Sequence, residues 1–331
     1  MRHQINYLKY LYYLTYYGSP LKLYNYVLNK VEKKIKRIHL KSLPINVMIE
    51  PTNSCNLNCV GCITGTKPKE AIQPQVLKFE QFKKYFDQVK DYVFNISLFN
   101  WGEPFLNKDI FFIIQYASSN KCGVTVHSNL NIFNEIMAEN SITAKLTHIY
   151  VAIDGATQET YEKYRRGGNL SQVFRNIEVL VDKKRKKNSL FPILTWQYLA
   201  FPHNVHEIED ARIRSKQLKM DAFEVFRGNL DNIGTFGFER TYDLKRKDTT
   251  TSVKKYCDSL WDTLIIYPDG SVIPCCQAFR EKDIFGNVNE TSVRNVWNNT
   301  NYMEMRKAVK RKKWTNNIRY PCRECKILKK V

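Results

Sequence analysis

From Ile45 onwards, short apolar runs alternate with longer segments of helical spacing. The runs are rich in β-branched and aromatic residues, which favour strands. Between them, Phe79–Tyr92 and Val173–Lys187 have the spacing of amphipathic helices. This alternation predicts an α/β fold of parallel β/α units around a mostly buried sheet. The six predicted strands are Asn46–Pro51, Phe94–Asn100, Cys122–Ser128, His148–Asp154, Ile193–Phe201 and Ala222–Phe226.

Several residues with reactive or polar side chains directly follow these predicted strands. In parallel β/α folds the chemistry lies at the carboxyl ends of the strands, which meet along one edge. We therefore expect one rim to carry Cys55, Trp101–Pro104, Ser128-Asn129 and Asp154-Gly155.

The segment CNLNCVGC contains three of the nine cysteines of the chain. The amino-terminal sequence lacks a signal-peptide pattern, and no run of 18 uncharged apolar residues predicts a membrane span. We therefore expect a cytoplasmic protein, in which thiols stay reduced and clustered cysteines bind metals or catalyse reactions. Three thiolates on one loop can hold three irons of a cubane cluster and leave the fourth iron open. Zinc is a poor alternative, because no fourth Cys or His lies nearby.

The spacing C-x3-C-x2-C of Cys55, Cys59 and Cys62 resembles the signature of radical S-adenosylmethionine enzymes, and EPTNSCNLNC resembles the sequence that precedes it in that family. The motif follows the first predicted strand, which is the context that the resemblance requires. The resemblance implies a partial, TIM-like (β/α)6 barrel. It also implies a [4Fe-4S] cluster that binds S-adenosylmethionine.

The resemblance also implies cofactor-binding residues. The segment NWGEP matches a Gly-Glu-Pro motif that contacts the methionyl amino group in the family, with Trp101 in place of a first glycine. By position after the third and fourth strands, further residues map near the ribose and carboxylate of the cofactor, although a helix N-cap or a turn explains them equally well. The segment Tyr161–Gly168 is also similar to the family. The implied cofactor-binding residues are Gly102, Glu103, Pro104, Ser128, Asn129 and Asp154.

A second group of cysteines lies near the carboxyl end. The sequence IIYPDGSVIPCC predicts a β-hairpin with Asp269-Gly270 as its turn. The spacing resembles the auxiliary-cluster region called SPASM or, when shortened, twitch, and the cysteine number favours the shortened form with one auxiliary [4Fe-4S] cluster. Such a cluster would transfer electrons or stiffen the fold. The implied ligands are Cys257, Cys275, Cys322 and Cys325.

Two further cysteines have other expected roles. The glycine spacing favours Cys275 over Cys276 as the ligand, although the sequence allows either. Adjacent side chains on a strand point to opposite faces, so we expect Cys276 to be a buried thiol. We expect Cys122 to behave as a small core hydrophobe.

The predicted domains are an amphipathic helical extension over residues 1–44, the barrel over 45–230, a linker over 231–255 and the auxiliary-cluster domain, with its hairpin and a helix, over 256–331. The extension is broken at Gly18-Ser19-Pro20. We expect it to pack across one end of the core. Its Tyr and Lys content leaves peripheral contact with a membrane as the alternative.

The formal net charge is +20, with basic runs at Lys183–Lys187 and Lys310–Lys313. Such charge favours an acidic partner. Solvated helix faces explain the same runs and are the more common case.

The resemblance implies that the cofactor is cleaved reductively to a 5′-deoxyadenosyl radical, which abstracts a hydrogen atom from a substrate. We expect a peptide or carbohydrate substrate and dehydrogenation, crosslinking or epimerisation as the outcome. The family also implies a reductase such as flavodoxin or ferredoxin. Two alternatives are an RNA-modifying enzyme of the same kind, with nucleic acid the less favoured partner, and a non-catalytic scaffold that keeps its clusters for structure.

Overall fold

A computed structural model describes residues 15–66, 72–228 and 257–311 of the 331-residue chain. Within these ranges, nine strands form one sheet in the order β6-β5-β4-β3-β2-β1-β7-β8-β9. Residues 1–14 of the predicted extension, the linker predicted over 231–255 and the predicted ligands Cys322 and Cys325 lie outside the described residues.

The six predicted strands are all present as the parallel half of this sheet, each pairing with its neighbour in sequence. This half is the predicted partial (β/α)6 barrel, since, among the described strands, the edge strand β6 pairs with β5 alone. The strands are β1 (Asn46–Ile49), β2 (Asn95–Ser97), β3 (Gly123–Ser128), β4 (His148–Ala152), β5 (Ile193–Ala200), β6 (Ala222–Arg227), β7 (Thr263–Ile266), β8 (Ser271–Ile273) and β9 (Gly286–Asn287).

Helices follow the strands and cover one face of the sheet. Alternate strand residues such as Val124 and Val126 are fully buried against helix residues such as Ile113. The other strand positions, such as His127, face the concave side and are only half-buried. The helices are α1 (Pro20–Lys34), α2 (Ile63–Thr66), α3 (Phe79–Phe86), α4 (Ile110–Ser119), α5 (Glu135–Thr143), α6 (Gln158–Tyr164), α7 (Leu170–Lys186), α8 (Ile208–Gln217), α9 (Ser259–Asp262), α10 (Val293–Trp297) and α11 (Thr300–Arg311).

The carboxyl-terminal unit joins the same sheet. Strand β7 pairs in parallel with β1 over its whole length, and β7 and β8 form the predicted antiparallel hairpin. Gly270 has φ of +82° in the turn, a conformation that glycine adopts without strain. The sequence predicts the hairpin, but not its attachment to β1.

The basic run at the end of α7 is paired with acidic side chains. Lys183 Nζ lies 2.8 Å from Glu135 Oε1, Lys187 contacts Glu139, and Lys184 Nζ lies 3.0 Å from Asp221 Oδ2. These contacts favour the interpretation of this run as a solvated helix face. Among the described residues, no helix has both the length and the apolar character needed to cross a membrane.

Candidate active site

The loop that carries Cys55, Cys59 and Cys62 follows β1 and is braced by the segment after β4 that the sequence singled out. The backbone N–H of Asn58 donates to Arg166 O and that of Val60 to Tyr164 O, both at 3.0 Å. Gly61 has φ of +71°, which lets the chain turn between the second and third cysteine. The segment Tyr161–Gly168 therefore supports the cysteine loop.

Each of the three thiols has a polar neighbour. Asn129 Nδ2 lies 3.8 Å from Cys55 Sγ, Arg165 Nη1 lies 3.9 Å from Cys59 Sγ, and Thr64 Oγ1 lies 3.0 Å from Cys62 Sγ. Burial, with smaller contributions from Glu103, Cys59 and Cys62, raises the pKa of the Cys55 thiol to about 12. Positive charge beside a buried thiol favours its thiolate form, and a bound metal cluster supplies such charge.

The donor set fits an iron–sulfur cluster. In the ranges that the structure describes, no three His, Cys, Asp or Glu side chains converge on a point that holds a single metal ion. Zinc requires such convergence, whereas in a cubane each thiolate binds a different iron. Three thiols on one loop match the three protein ligands of a cubane that has one open iron.

The Gly-Glu-Pro segment after β2 is pressed against the end of β1. A Cβ at Gly102 would lie 1.8 Å from Thr52 O, so only glycine fits there. Glu50 Oε1 accepts the backbone N–H groups of Trp101 at 2.7 Å and Gly102 at 3.0 Å. Burial raises the pKa of the Glu50 carboxyl to about 7, although these two donors oppose the shift.

The carboxylate of Glu103 is buried, and the residues at the end of β3 hold it. Ser128 Oγ donates to Glu103 Oε1 at 2.7 Å, and the Asn129 N–H donates to Oε2 at 2.9 Å. Burial raises the pKa of Glu103 to about 7 against these donors. The helix that follows is capped by Asn134, so the N-cap alternative for Ser128 and Asn129 does not apply.

Asp154 follows β4 and forms a buried ion pair with Arg165, whose Nε lies 2.6 Å from Asp154 Oδ2. The other oxygen, Oδ1, accepts the Leu199 N–H at 2.6 Å. Burial raises the pKa of Asp154, although Arg165 opposes the shift. Since Arg165 also lies beside Cys59 Sγ, Asp154 is connected to the cysteine loop through one guanidinium.

The concave face below this rim carries aromatic and polar side chains. Phe99 stacks on His127 with ring centroids 3.8 Å apart, and His127 lies 4.4 Å from Tyr150. Gln197 on β5 is directly opposite Glu224 on β6. Burial and the charge of Glu224 raise the pKa of Tyr150 to about 12. Neither the Glu224 carboxylate nor the Tyr150 hydroxyl has a hydrogen bond or ion pair with any described residue.

Of the cysteines predicted to bind the auxiliary cluster, Cys257 and Cys275 are half-buried and lie in the described residues. Cys276 is exposed, so the expectation of a buried thiol is wrong. The strand β8 ends at Ile273, so strand alternation no longer applies at Cys276. Cys122 is fully buried in the main core, as predicted.

Sequence reasoning missed Glu50 and Arg165 as site residues. Both lie in segments that resemble the family, EPTNSC and YEKYRRGG. Only the fold shows that Glu50 bonds to Trp101, 51 residues away, and Arg165 to Asp154, 11 residues away. A glutamate at the end of a buried strand was the available signal for Glu50, because buried carboxylates need donors.

Comparison with known protein families gives the same assignment. A family model described as the Radical SAM superfamily matches residues 49–211, and a model of an iron-sulfur cluster-binding domain, SPASM, matches residues 257–326. The chain belongs to the radical SAM superfamily. The cofactors of this radical SAM chain are thus S-adenosylmethionine, the [4Fe-4S] cluster that binds it and an auxiliary iron–sulfur cluster.

Similar curated proteins have several activities. The radical SAM chain is 27% identical over 232 residues to the AdoMet-dependent heme synthase of Methanosarcina barkeri, covering 66% of this chain and 64% of that protein. It is 25% identical to the mycofactocin maturase MftC of Mycobacterium ulcerans, covering 52% and 44%, and 25% identical to the subtilosin biosynthesis protein AlbA of Bacillus subtilis, covering 77% and 60%. The matches thus span less than two thirds of each relative.

Solved structures show the same fold. Streptococcus suis SuiB bound to S-adenosylmethionine is 15% identical, with a TM-score of 0.67 over 89% of this radical SAM chain and 74% of SuiB. BtrN in complex with AdoMet and 2-DOIA is 15% identical, with a TM-score of 0.53 over 82% and 89%. At these identities the likeness establishes the fold, not the substrate.

Proposed function

We propose that this chain is an enzyme that cleaves S-adenosylmethionine reductively and abstracts a hydrogen atom from a substrate bound on the concave face of its partial barrel. The observation that carries the proposal is the shared position of three thiols, the Gly102-Glu103 segment and the Ser128-Asn129 pair at the carboxyl ends of adjacent strands. A scaffold has no use for an open iron beside such a segment.

The residues of the chain bind and orient the cluster and the cofactor. We assign Cys55, Cys59 and Cys62 to the cluster and Gly102, Glu103 and Pro104 to the cofactor. When bound, the cluster and S-adenosylmethionine together supply one-electron chemistry that generates a 5′-deoxyadenosyl radical.

The buried side chains behind this segment fix its position. Glu50 and Thr52 locate the Gly102 backbone, and Ser128 and Asn129 fix the carboxylate of Glu103. Preorganisation of this kind avoids reorganisation during the reaction. Trp101 has a buried indole Nε1 without a hydrogen-bond partner in the described residues, and we assign this donor to the cofactor pocket.

The concave face would recognise the substrate by its polar groups. Tyr150, Gln197 and Glu224 are half-buried on adjacent strands, below the rim that holds the cysteines. A half-buried carboxylate with no partner among the described residues favours a cationic or multiply hydroxylated group of the substrate. The overall basic charge therefore does not by itself make the substrate acidic, and an acidic partner stays a prediction.

A peptide is the substrate class that we propose first. One solved structure similar to this chain is SuiB bound to the precursor peptide SuiA, and one curated relative is a bacteriocin biosynthesis protein. A basic peptide side chain would suit Glu224. A carbohydrate is the second candidate, because Tyr150, Gln197 and Glu224 would also bind hydroxyl groups. Dehydrogenation, crosslinking and epimerisation remain the expected outcomes, and a flavodoxin or ferredoxin the expected electron donor.

The test measures 5′-deoxyadenosine formation by the cluster-loaded enzyme with and without peptide and small-molecule fractions of a cell extract. We expect a slow basal rate that the peptide fraction stimulates. Glu224→Gln and Tyr150→Phe should keep the basal rate and lose the stimulation, whereas Glu178→Gln, at an exposed position of α7, should keep both. Stimulation by the small-molecule fraction alone would favour the carbohydrate. Equal stimulation of the Glu224→Gln enzyme would place the substrate elsewhere.

A further inference from the structure

Helix α1 buries its polar side chains. Lys22, Asn25, Asn29 and Glu32 are each no more than 4% exposed, and they lie on one side of the helix at spacings of three and four residues. Surface helices normally bury their apolar side instead. Because α1 buries its polar side instead, its outward face is a candidate interaction surface.

Each buried polar side chain of α1 has hydrogen-bond partners in the body of the protein. Lys22 Nζ donates to Lys121 O at 2.6 Å, and Asn29 Nδ2 donates to Trp261 O at 2.7 Å. Asn25 exchanges hydrogen bonds with the backbone of Leu43 and also donates to Tyr92 O. Glu32 accepts from the Lys41 N–H and from Ser42 Oγ. These bonds hold α1 in one orientation against the body of the protein.

The partners of α1 all precede strands. Leu43 lies just before β1, Tyr92 before β2, Lys121 before β3 and Trp261 before β7. Helix α1 therefore covers the amino-terminal end of the barrel. The candidate active site lies at the opposite, carboxyl-terminal end of the same strands.

The outward face of α1 is apolar. The exposed fractions are 49% for Leu23, 64% for Tyr24, 52% for Val27, 51% for Val31 and 56% for Ile35. These side chains form a stripe along one side of the helix, and we call this set of five residues the apolar stripe. A continuous exposed stripe of this kind marks an interaction surface.

The exposed charges of α1 beside the apolar stripe are positive. Lys30 and Lys34 are exposed at its edge, and Glu32, the only acidic residue between Thr15 and Lys41, is buried and hydrogen-bonded. An acidic protein surface would match the lysines, but it would offer no apolar surface to cover the stripe. A bilayer that contains anionic lipids offers both an apolar layer and a negative surface.

We propose that the apolar stripe of α1, with Lys30 and Lys34, is a docking surface for an anionic lipid bilayer. The helix would lie in the plane of the interface, with Val27 and Val31 at the centre of the inserted face and the lysines at the level of the headgroups. The site at the far end of the barrel would then face away from the bilayer. This inference is independent of the substrate proposed above.

The experiment is flotation of the full-length protein with vesicles of phosphatidylglycerol and phosphatidylcholine, compared with vesicles of phosphatidylcholine alone. We expect binding to the anionic vesicles and little to the neutral ones. The double substitution Val27→Glu, Val31→Glu should abolish binding. The matched control Ile136→Glu, Ile213→Glu changes two apolar side chains that are 71% and 47% exposed on other helices, and should bind like the unsubstituted protein.

Charge is tested separately with Lys30→Gln, Lys34→Gln. Neutralising two interfacial lysines should lower the partition coefficient for anionic vesicles roughly 30-fold, and 0.5 M salt should have a similar effect, since each lysine contributes about 1 kcal/mol. Equal binding to neutral vesicles, or no effect of the Val27→Glu, Val31→Glu pair, would overturn the proposal.

Two other occupants of the stripe give different results. If a second copy covered it, the unsubstituted protein would dimerise without binding vesicles, and the glutamate pair would make it monomeric. If residues 1–14 covered it, the glutamate pair would lower the melting temperature and vesicle binding would be absent. With a bilayer as the occupant, we expect an unchanged melting temperature, because both positions are exposed.

Discussion

Asp154 and Arg165 form a buried ion pair in which Nε lies 2.6 Å from Oδ2, and the same guanidinium lies 3.9 Å from the Cys59 thiol. The side chain of Asp154 is fully buried and that of Arg165 is 14% exposed. The pair joins the end of β4 to the cysteine loop. Loss of the arginine would leave a buried carboxylate without its counter-ion.

Arg165→Met should therefore lower the free energy of unfolding by about 3–5 kcal/mol, the usual cost of breaking a buried ion pair from one side. Its exposed neighbour gives the control, since Arg166→Met should change stability by no more than about 0.5 kcal/mol. Urea unfolding of both variants measures the difference. Equal stabilities would show that the ion pair contributes nothing.

Gly102→Ala should disrupt cofactor binding, because the added Cβ would lie 1.8 Å from Thr52 O and must displace the segment. A misplacement of about 1 Å can reduce a rate roughly 100-fold. The measurements are the dissociation constant for S-adenosylmethionine and the rate of 5′-deoxyadenosine formation. Gly167→Asn is the control, because its Cβ would meet nothing within 4 Å and asparagine tolerates the positive φ. Normal binding by Gly102→Ala would rule out the tight contact.

The stability of the chain should depend on pH through Glu50, since burial raises the pKa of this carboxyl from 4.5 to about 7. The folded state then binds a proton more readily than the unfolded state, so the stability contributed by Glu50 is fully present below pH 4.5 and is lost as the pH rises to about 7. At 1.36 kcal/mol per pKa unit, the contribution is about 3 kcal/mol.

Glu50→Gln should remove that part of the pH dependence, whereas Glu178→Gln at an exposed position should leave the profile unchanged. Urea unfolding between pH 4.5 and pH 8 measures both profiles. Identical slopes for Glu50→Gln and the unsubstituted protein would contradict the role of Glu50.

Substitution of the adjacent cysteines Cys275 and Cys276 tests which of them binds the auxiliary cluster. Cys275 is half-buried, whereas Cys276 is exposed. We expect Cys275→Ala to lower the iron content of the reconstituted protein by up to about four atoms per chain, the content of one [4Fe-4S] cluster. Cys276→Ala should leave it unchanged. The opposite result would assign the ligand to Cys276.

The sequence predicted the parallel sheet well because each β/α unit is local. The runs that contain β3 and β4, for example, are β-branched and are bounded by helical segments. It did not predict that β7 pairs with β1, because this contact joins residues more than 200 positions apart and neither strand encodes its partner.

In the candidate site, too, local features were predicted from the sequence and long-range contacts were not. Cys55, Cys59 and Cys62 were predicted from a short motif, whereas Glu50 and Arg165 act through partners that only the fold brings near. The reversed polarity of α1 was also hidden, because Lys22 and Glu32 have the composition of a solvated surface and become buried only against strand ends. Burial of polar residues therefore depends on tertiary contacts that local patterns do not contain.

The central claim is that Cys55, Cys59 and Cys62 hold a cluster on which cofactor cleavage depends. The most direct measurement is anaerobic reconstitution with iron and sulfide, followed by iron counting and an assay for 5′-deoxyadenosine after dithionite reduction with S-adenosylmethionine. We expect about eight irons per chain and cleavage in the unsubstituted protein, and in a core Cys122→Ala control. Replacing the three loop cysteines with alanine should remove about four irons and all cleavage. Persistent 5′-deoxyadenosine formation in that variant would contradict the account.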